Sequence, residues 1–242
     1  KSFLDHALLL FPFEKKYFDK ENVQSTFTGH PLIEDQEKPK IDISQIIKDH
    51  KKIISIFPGS RQSELNILLP ILIDFVKMMN QKHKDIFFVF HSTSENNKST
   101  QDRLIKEGFK NCGSISDEKV KSEVLKSSTF AVAKSGTISL EICNAKVPSI
   151  IIYKMNSINF LIIKMLVKVK YANIINIAAN EEIIPELLQS NCNSKNIFNN
   201  VDSLFENNES MQNQIDKSQE ILKNFKTNQS SKIAASVLTN SL

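Results

Sequence analysis

Residues 53–61 read IISIFPGSR, a short apolar run that ends in a turn around Gly59. Apolar residues then recur at helical spacing between Leu65 and Met79. This pattern predicts a strand, a tight turn and an amphipathic helix, in that order. Such a unit directs backbone N–H groups toward an anion.

A second stretch, FAVAKSGT at residues 130–137, repeats this arrangement around Gly136. The chain has only five glycines in 242 residues, so two in matching turns indicate that a phosphate group comes close to the backbone. Either turn alone also has an ordinary structural explanation, because glycine is common where a strand turns into a helix. Together the turns predict a phosphate site made of Gly59, Ser60, Arg61, Ser135, Gly136 and Thr137.

Two charged residues add to this predicted site. Arg61 is one of only two arginines, and the other 29 of the 31 basic residues are lysines. Its planar guanidinium can hold a diphosphate through two hydrogen bonds, which a lysine cannot do. Glu141 follows Gly136 by five residues, so its carboxylate is placed to accept hydrogen bonds from ribose hydroxyls. The alternative for Glu141 is a favourable interaction with the helix dipole alone.

The rest of the chain continues the alternation of apolar runs and helical patterns. This alternation predicts the α/β class, with a Rossmann-like doubly wound parallel sheet. Pro70 lies inside the helix pattern after Gly59, so we expect that helix to start late or to bend. Strands are predicted at residues 7–11, 25–28, 53–57, 86–90, 129–133, 148–153 and 174–177, and helices at 100–107, 116–126, 137–144, 158–169, 185–189, 194–206 and 208–226.

Composition narrows the class of protein. A hydrophobic content of 40%, a charged content of 24% and a net charge of +4 are typical of an ordinary globular protein, and we expect no nucleic-acid partner. The three cysteines are far apart and without metal spacing, so we interpret them as reduced thiols of a cytosolic protein. No signal peptide and no apolar run near about 18 residues is recognisable, so no membrane span is predicted.

Two further features have competing explanations. Residues 158–170 are strongly apolar but carry Lys164 and Lys168 on one helical face. This helix either rests on anionic lipid or is a core helix whose lysines extend to solvent. His30, between Gly29 and Pro31, either contacts a substrate or is an ordinary loop histidine. No nucleophile triad and no cluster with metal-ligand spacing is recognisable.

Six short motifs in order resemble one family, lipid-A-disaccharide synthase, a membrane-associated glycosyltransferase of the two-domain GT-B fold. LFPFE at 10–14 is similar to the family's LPFE, and FTGHPL at 27–32 to its F-x-GHPL. FPGSRQSE at 57–64 is similar to LPGSRxSE, and KSGTISLE at 134–141 to xSGTxxLE. Tyr153-Lys154 stands at the family's YK or YR, and residues 171–189 resemble its YVSLPN…PELLQ stretch. The similarity runs from about Leu8 to Gln189.

The resemblance implies a specific reaction. The family transfers 2,3-diacylglucosamine from its UDP-linked form to 2,3-diacylglucosamine 1-phosphate, forming the β(1→6) lipid A disaccharide 1-phosphate and releasing UDP. The resemblance implies that the two glycine turns bind the UDP diphosphate, and that Glu141 binds the ribose. Asn176 and Glu182 would line the sugar side of the cleft, and His30 the interdomain side. No metal or other cofactor is implied, and the lysine-bearing helix would contact the inner-membrane surface from the cytoplasm.

The resemblance also implies a division of the chain. Residues 1–33 would end an N-terminal acceptor-side domain, 34–50 would be a linker, and 51–242 would form the nucleotide-sugar-binding domain, with helices in 208–242 packing back on the N-terminal part. Because the chain starts at Lys1 without a methionine, we expect a C-terminal part of a longer protein that binds UDP without turnover. The general base is then expected upstream.

Some residues depart from the family pattern, and other functions remain open. Ile175 replaces the family's proline and Asn173 its serine. A second hypothesis is another GT-B enzyme, such as a UDP-sugar 2-epimerase or a MurG-like transferase. A third is a non-catalytic nucleotide-binding or interaction module whose glycine turns are only structural.

Overall fold

A six-stranded parallel sheet forms the centre of the computed structural model, which describes residues 4–34, 41–47, 52–156, 170–227 and 229–240. Its strand order is β5-β4-β3-β6-β7-β8. The chain therefore winds outward from β3 in one direction and from β6 in the other, which places the topological switch point between β3 and β6. The strands are β3 (Lys52–Phe57), β4 (Ile86–His91), β5 (Cys112–Ile115), β6 (Phe130–Lys134), β7 (Ser149–Tyr153) and β8 (Glu186–Leu188).

Helices cover both faces of this sheet. Alternate residues of a strand point to opposite faces, so Ile54 and Ile56 pack in a different cluster from Ala131 and Ala133. The helices are α1 (Lys15–Lys20), α2 (Ser44–Ile47), α3 (Gln62–Lys82), α4 (Ser94–Lys106), α5 (Glu118–Lys126), α6 (Ile138–Asn144), α7 (Ile174–Ala179), α8 (Ser194–Phe205), α9 (Asn208–Lys223) and α10 (Ser230–Asn240). α3 and α8 share one face, and α6, α7 and α9 pack together on the other.

A second, two-stranded parallel sheet lies near the start of the chain. It pairs β1 (His6–Leu9) with β2 (Gln24–Phe27), with His6 opposite Gln24. The segment after α9 holds this unit in place. The backbone N–H of His30 donates to the carbonyl of Phe225, and the Thr227 hydroxyl donates to the carbonyl of Thr28 at 2.6 Å.

The strand–helix alternation is confirmed as an α/β doubly wound sheet, and two local predictions are wrong. For the helix after Gly59, the structure excludes a late start, because this helix begins at Gln62 and continues through Pro70. Residues 174–179 are helical rather than a strand, and residues 186–188 form β8 rather than a helix. The short strand β5 was not predicted. Its sequence CGSI carries a single strongly apolar residue, too few for a recognisable run.

Candidate functional site

A cavity of about 410 Å³ opens at the carboxyl ends of β3, β4 and β6, at the topological switch point. Crevices of this kind are where doubly wound sheets bind ligands. Both glycine turns reach it. The sequence-predicted residues in its lining are Gly59, Ser60, Ser135, Gly136, Thr137 and Glu141.

The turn at Gly59 closes on a carboxylate from its own helix. Glu64 accepts hydrogen bonds from the backbone N–H of Ser60 at 3.1 Å and of Arg61 at 3.4 Å. Gly59 has a φ of +106°, and a Cβ added there would overlap the Glu64 carboxylate and lie 2.9 Å from the Glu64 Cβ. The close approach inferred from this glycine is therefore made by Glu64.

Lys134 joins the two turns across the cavity. Its Nζ lies 2.9 Å from Glu64 Oε1, with the two side chains only 21% and 15% exposed. The same Nζ lies 5.3 Å above the ring of Tyr153. Burial opposes ionisation of Glu64, but hydrogen bonds from Lys134, Arg61 and Ser60 hold the pKa of its carboxyl below the ordinary value. The cavity lining thus contains a fixed ion pair, since both Lys134 and Glu64 belong to it.

Arg61 caps the same helix but points outward. Its side chain is 80% exposed, its nearest acid is Glu64 at 3.8 Å, and it is not part of the cavity lining. An exposed guanidinium at the mouth of a cavity is free to change rotamer at little cost. The predicted diphosphate contact therefore requires a rotation of this side chain.

The turn at Gly136 differs from the first, because open space surrounds it. The nearest atom to an added Cβ is the Lys134 carbonyl oxygen at 4.0 Å, and the backbone is not in the left-handed region. The Ser135 hydroxyl donates to the carbonyl of Ala172 at 2.8 Å, which anchors the turn to the segment before α7. Among the described residues, nothing requires glycine at residue 136.

A buried histidine stands at the β4 side of the cavity. His91 is 4% exposed, stacks on Phe57 with ring centroids 4.0 Å apart, and places Nε2 2.8 Å from the Ser55 hydroxyl. Burial, and then the positive charge of Lys121, lower the pKa of His91 to about 3. The imidazole is therefore neutral at physiological pH. Sequence reasoning missed it, although a polar residue at the end of an apolar strand of such a sheet is a recognisable signal.

Three other predicted residues lie outside this cavity. His30 is 5% exposed, accepts from the N–H of Leu32 through Nδ1, and its ring packs against Phe11. Burial lowers the pKa of His30, partly offset by Glu14. Glu182 is exposed, and its carboxylate accepts from the N–H of Glu186 at 3.2 Å.

Asn176 is fully buried and its amide makes four hydrogen bonds within the chain. Its Oδ1 accepts from the N–H groups of Ile183 and Ile184, and its Nδ2 donates to the Ile184 carbonyl and to Glu186 Oε1. Glu186 in turn accepts from the N–H groups of Ala172 and Asn173. Asn176 therefore holds the strand β8 and the segment before α7 together.

A family model described as lipid-A-disaccharide synthetase matches residues 1–239. The chain belongs to the lipid-A-disaccharide synthase family. It is 34% identical over 240 residues to the lipid-A-disaccharide synthase of Rickettsia prowazekii, covering 97% of this chain and 63% of that protein. It is 33% identical over 214 residues to the synthase of a Sulfurihydrogenibium species, covering 81% of this chain and 54% of that protein. The chain thus spans under two thirds of these relatives.

Solved structures agree on the fold of this lipid-A-disaccharide synthase family member. A UDP-GlcNAc 2-epimerase from Neisseria meningitidis bound to UDP-GlcNAc superposes with a TM-score of 0.67 at 14% identity, covering 98% of this chain and 62% of that one. WaaG, a glycosyltransferase involved in lipopolysaccharide biosynthesis, gives 0.56 at 11% identity, covering 96% and 62%. The fold is the Rossmann-like C-terminal half of GT-B. At these identities the likeness shows the fold alone, and family membership rests on the sequence match.

Several predicted features of the chain fall outside the site or outside the described residues. Lys164 and Lys168 belong to the second group. Among the helices that the structure does describe, none combines the length and apolarity needed to cross a membrane. Within those same ranges, no group of three His, Cys, Asp or Glu side chains is arranged to hold a metal ion.

The three cysteines are free thiols, and burial raises the pKa of Cys112 and Cys143 to about 12 and of Cys192 to about 11.

Proposed function

We propose that this chain carries the nucleotide-sugar half of a lipid-A-disaccharide synthase and binds the UDP group of the donor in the switch-point cavity. The reaction would move 2,3-diacylglucosamine from UDP to 2,3-diacylglucosamine 1-phosphate, forming the β(1→6) disaccharide 1-phosphate and releasing UDP. The observation that carries the proposal is the open Gly136 turn, facing the Gly59 turn across a cavity at the switch point.

The leaving diphosphate would lie against the Gly136 turn. Gly136 leaves room for a phosphate to approach the backbone, and Lys134 supplies a cation in the lining. A positive group that is already fixed by Glu64 needs no rearrangement to stabilise the negative charge that develops on UDP as the glycosidic bond breaks. Arg61 would swing in from the mouth of the cavity to complete this contact.

Glu141 would bind the ribose, because it lines the same cavity one helical turn beyond Thr137. His30 and Glu182 would face the acceptor and sugar side of the cleft. Asn176 would support that side from within the fold, since its amide is fully occupied. The general base would come from a part of the enzyme outside these residues. The chain alone would accordingly bind UDP without forming disaccharide.

Calorimetric titration with UDP tests the site. Binding by the wild-type chain, and its loss in Gly136→Val, are the expected results, because the added side chain would occupy the space left for the phosphate. The fold should survive this change, since the Lys134 carbonyl oxygen, at 4.0 Å, is the one atom of the described residues that comes near an added Cβ. Gly113→Ala on β5, whose added Cβ would meet Phe87 at an ordinary 3.6 Å, is the control and should bind UDP normally. Failure of the wild type to bind UDP would refute the proposal.

Arginine variants test the diphosphate contact. We expect Arg61→Ala to weaken UDP binding by about 10- to 100-fold, since a charged hydrogen bond contributes about 1.5–3 kcal/mol. Arg103→Ala is a matched control: Arg103 is the other arginine of the chain, lies on α4, pairs with Glu107 just beyond that helix, and is outside the cavity lining. Equal UDP affinity of Arg61→Ala and wild type would remove Arg61 from the site.

The membrane contact is a separate part of the proposal. Lys164 and Lys168 share a helical face in the sequence and would bind anionic headgroups at the inner-membrane surface. Cosedimentation with vesicles containing anionic lipid should fall in the double variant Lys164→Ala, Lys168→Ala. Vesicles of neutral lipid alone should sediment little of either protein.

A further inference from the structure

A chain of hydrogen bonds fixes which nitrogen of His91 carries the proton. The Ser128 hydroxyl donates its single hydrogen to the Val124 carbonyl at 2.8 Å. The contact of 2.7 Å between Ser55 Oγ and Ser128 Oγ must then use the Ser55 hydrogen. With that hydrogen used, Ser55 can only accept from His91, so His91 Nε2 is the protonated nitrogen.

This tautomer leaves His91 Nδ1 with a lone pair and no hydrogen. Nδ1 is buried and has no hydrogen-bond partner among the described residues. The imidazole ring cannot turn to bring Nδ1 to a donor, because Phe57 stacks against its face and Ser55 holds Nε2. A buried acceptor without a donor is costly, so in native proteins such an atom usually has a donor from the protein, a water molecule or a ligand.

A second orphaned polar atom lies two residues away. Thr93 Oγ1 is also buried without a hydrogen-bond partner among the described residues, and both His91 and Thr93 line the cavity. The neighbouring Ser92 hydroxyl differs from these two atoms, because it already has a hydrogen-bond partner in the Ser114 hydroxyl at 2.9 Å. The end of β4 therefore presents one obligatory acceptor and one hydroxyl that can donate.

His91 and Thr93 lie far enough from the Gly136 turn for a nucleotide to place its base at one and its diphosphate at the other. β4 and β6 flank β3 on opposite sides, so the ends of β4 and β6 are about 10 Å apart across the sheet. With a diphosphate at the Gly136 turn, after β6, and a ribose at Glu141, the base would extend toward β4.

We propose that His91 and Thr93 read the edge of the nucleobase, with His91 Nδ1 accepting from a ring N–H and Thr93 donating to an adjacent carbonyl. Uracil offers this pair as N3–H beside a carbonyl, whereas cytosine has no hydrogen on N3. The assignment rests on the proposed UDP site and goes beyond it by naming residues that determine base specificity.

Paired ligands and variants test this assignment by calorimetry. The wild-type chain should bind UDP more tightly than 3-methyl-UDP, which lacks the N3 hydrogen. His91→Phe keeps an aromatic ring against Phe57 but removes the acceptor, so UDP should bind roughly two- to tenfold more weakly, as expected for one neutral hydrogen bond. The preference of UDP over 3-methyl-UDP should shrink by the same factor. His83→Phe, a histidine paired with Asp202 outside the cavity, should leave both affinities unchanged.

Nitrogen-15 NMR of the wild-type imidazoles provides a readout that does not depend on a variant. His91 should show a proton on Nε2 and none on Nδ1, and UDP should shift the Nδ1 resonance toward that of a hydrogen-bonded acceptor. A proton on Nδ1, or an unchanged Nδ1 resonance with UDP bound, would overturn the assignment. UDP binding with full discrimination by His91→Phe overturns this inference alone, whereas no UDP binding by wild type overturns the proposed site as well.

Discussion

At the scale of single residues, glycine is present at residues 59 and 136 for different physical reasons. Gly59 is required by the fold, because its φ of +106° and the approach of Glu64 both exclude a side chain. Gly136 has no positive φ, and no atom of the described part of the chain lies closer than 4.0 Å to an added Cβ. Of the two glycines, Gly136 is therefore the one beside which a ligand has room to bind.

Replacing Gly59 should destabilise the protein. We expect Gly59→Ala to lower the free energy of unfolding by about 2–4 kcal/mol, because backbone strain of about 1–3 kcal/mol is added to displacement of the Glu64 carboxylate. Urea denaturation followed by circular dichroism measures this. Gly108→Ala is the control, since Gly108 also has a positive φ of +76°, but where the structure describes the chain no atom lies within 4 Å of an added Cβ. Equal losses in the two variants would mean that Glu64 moves aside without cost.

His91 makes stability depend on pH. Its pKa is about 3 in the folded protein against an ordinary 6.5, so the unfolded chain binds more protons between these values. Stability from the neutral ring is complete above about pH 6.5 and is lost as the pH falls toward 3. The slope contributed approaches about 1.4 kcal/mol per pH unit. In His91→Phe, stability should fall less steeply across this window and should follow the wild-type slope above pH 7. Identical slopes at acid pH would contradict the neutral buried ring.

The sequence predicted some residues of the cavity lining and missed others, for a physical reason. Gly59, Gly136 and Glu141 were found because turns and helix starts follow local sequence rules. Lys134 and His91 enter the cavity through strands distant in sequence, and their partners Glu64 and Ser55 are 70 and 36 residues away. Pairings of this kind depend on sheet order, which local patterns do not contain.

At the scale of elements, strands buried on both faces were predictable and short apolar segments were not. β4 reads IFFVFH and is buried at every position, so its type follows from composition. Residues 174–179 read IINIAA, which suits either a strand or a helix. The choice is made by Asn173, whose side chain caps the helix, and by Asn180, which ends it in the left-handed conformation.

The Asn176 amide should stabilise the α7–β8 unit rather than bind sugar directly. We expect Asn176→Ala to lower the free energy of unfolding by roughly 2–4 kcal/mol, because it removes the hydrogen bonds that the side chain makes to the buried N–H and carbonyl of Ile184. Asn66→Ala removes an exposed side-chain hydrogen bond with Gln62 and should change stability by less than about 0.5 kcal/mol. A stable Asn176→Ala protein with impaired donor-sugar binding would instead support direct contact with the sugar.

At the scale of the whole molecule, the small β1–β2 sheet is attached to the large sheet by residues from the far end of the chain. Phe225 is 1% exposed and packs edge-on against Phe11 with ring centroids 5.1 Å apart. The Ser230 N–H donates to the Glu34 carboxylate at 2.6 Å, across 196 residues. A two-stranded sheet is marginally stable alone, so these contacts decide whether it is ordered.

Removing the Phe225 ring should therefore release the small sheet before the large one. Phe225→Ala deletes a buried aromatic group, a change that typically costs about 3–5 kcal/mol. Hydrogen exchange measured by mass spectrometry should show lost protection in β1 and β2, with β3 and β4 close to wild type. Phe75→Ala is the matched comparison, because Phe75 is equally buried but packs in the core of the large sheet, and there β3 and β4 should lose protection. Uniform loss of protection in Phe225→Ala would show that the two sheets open together.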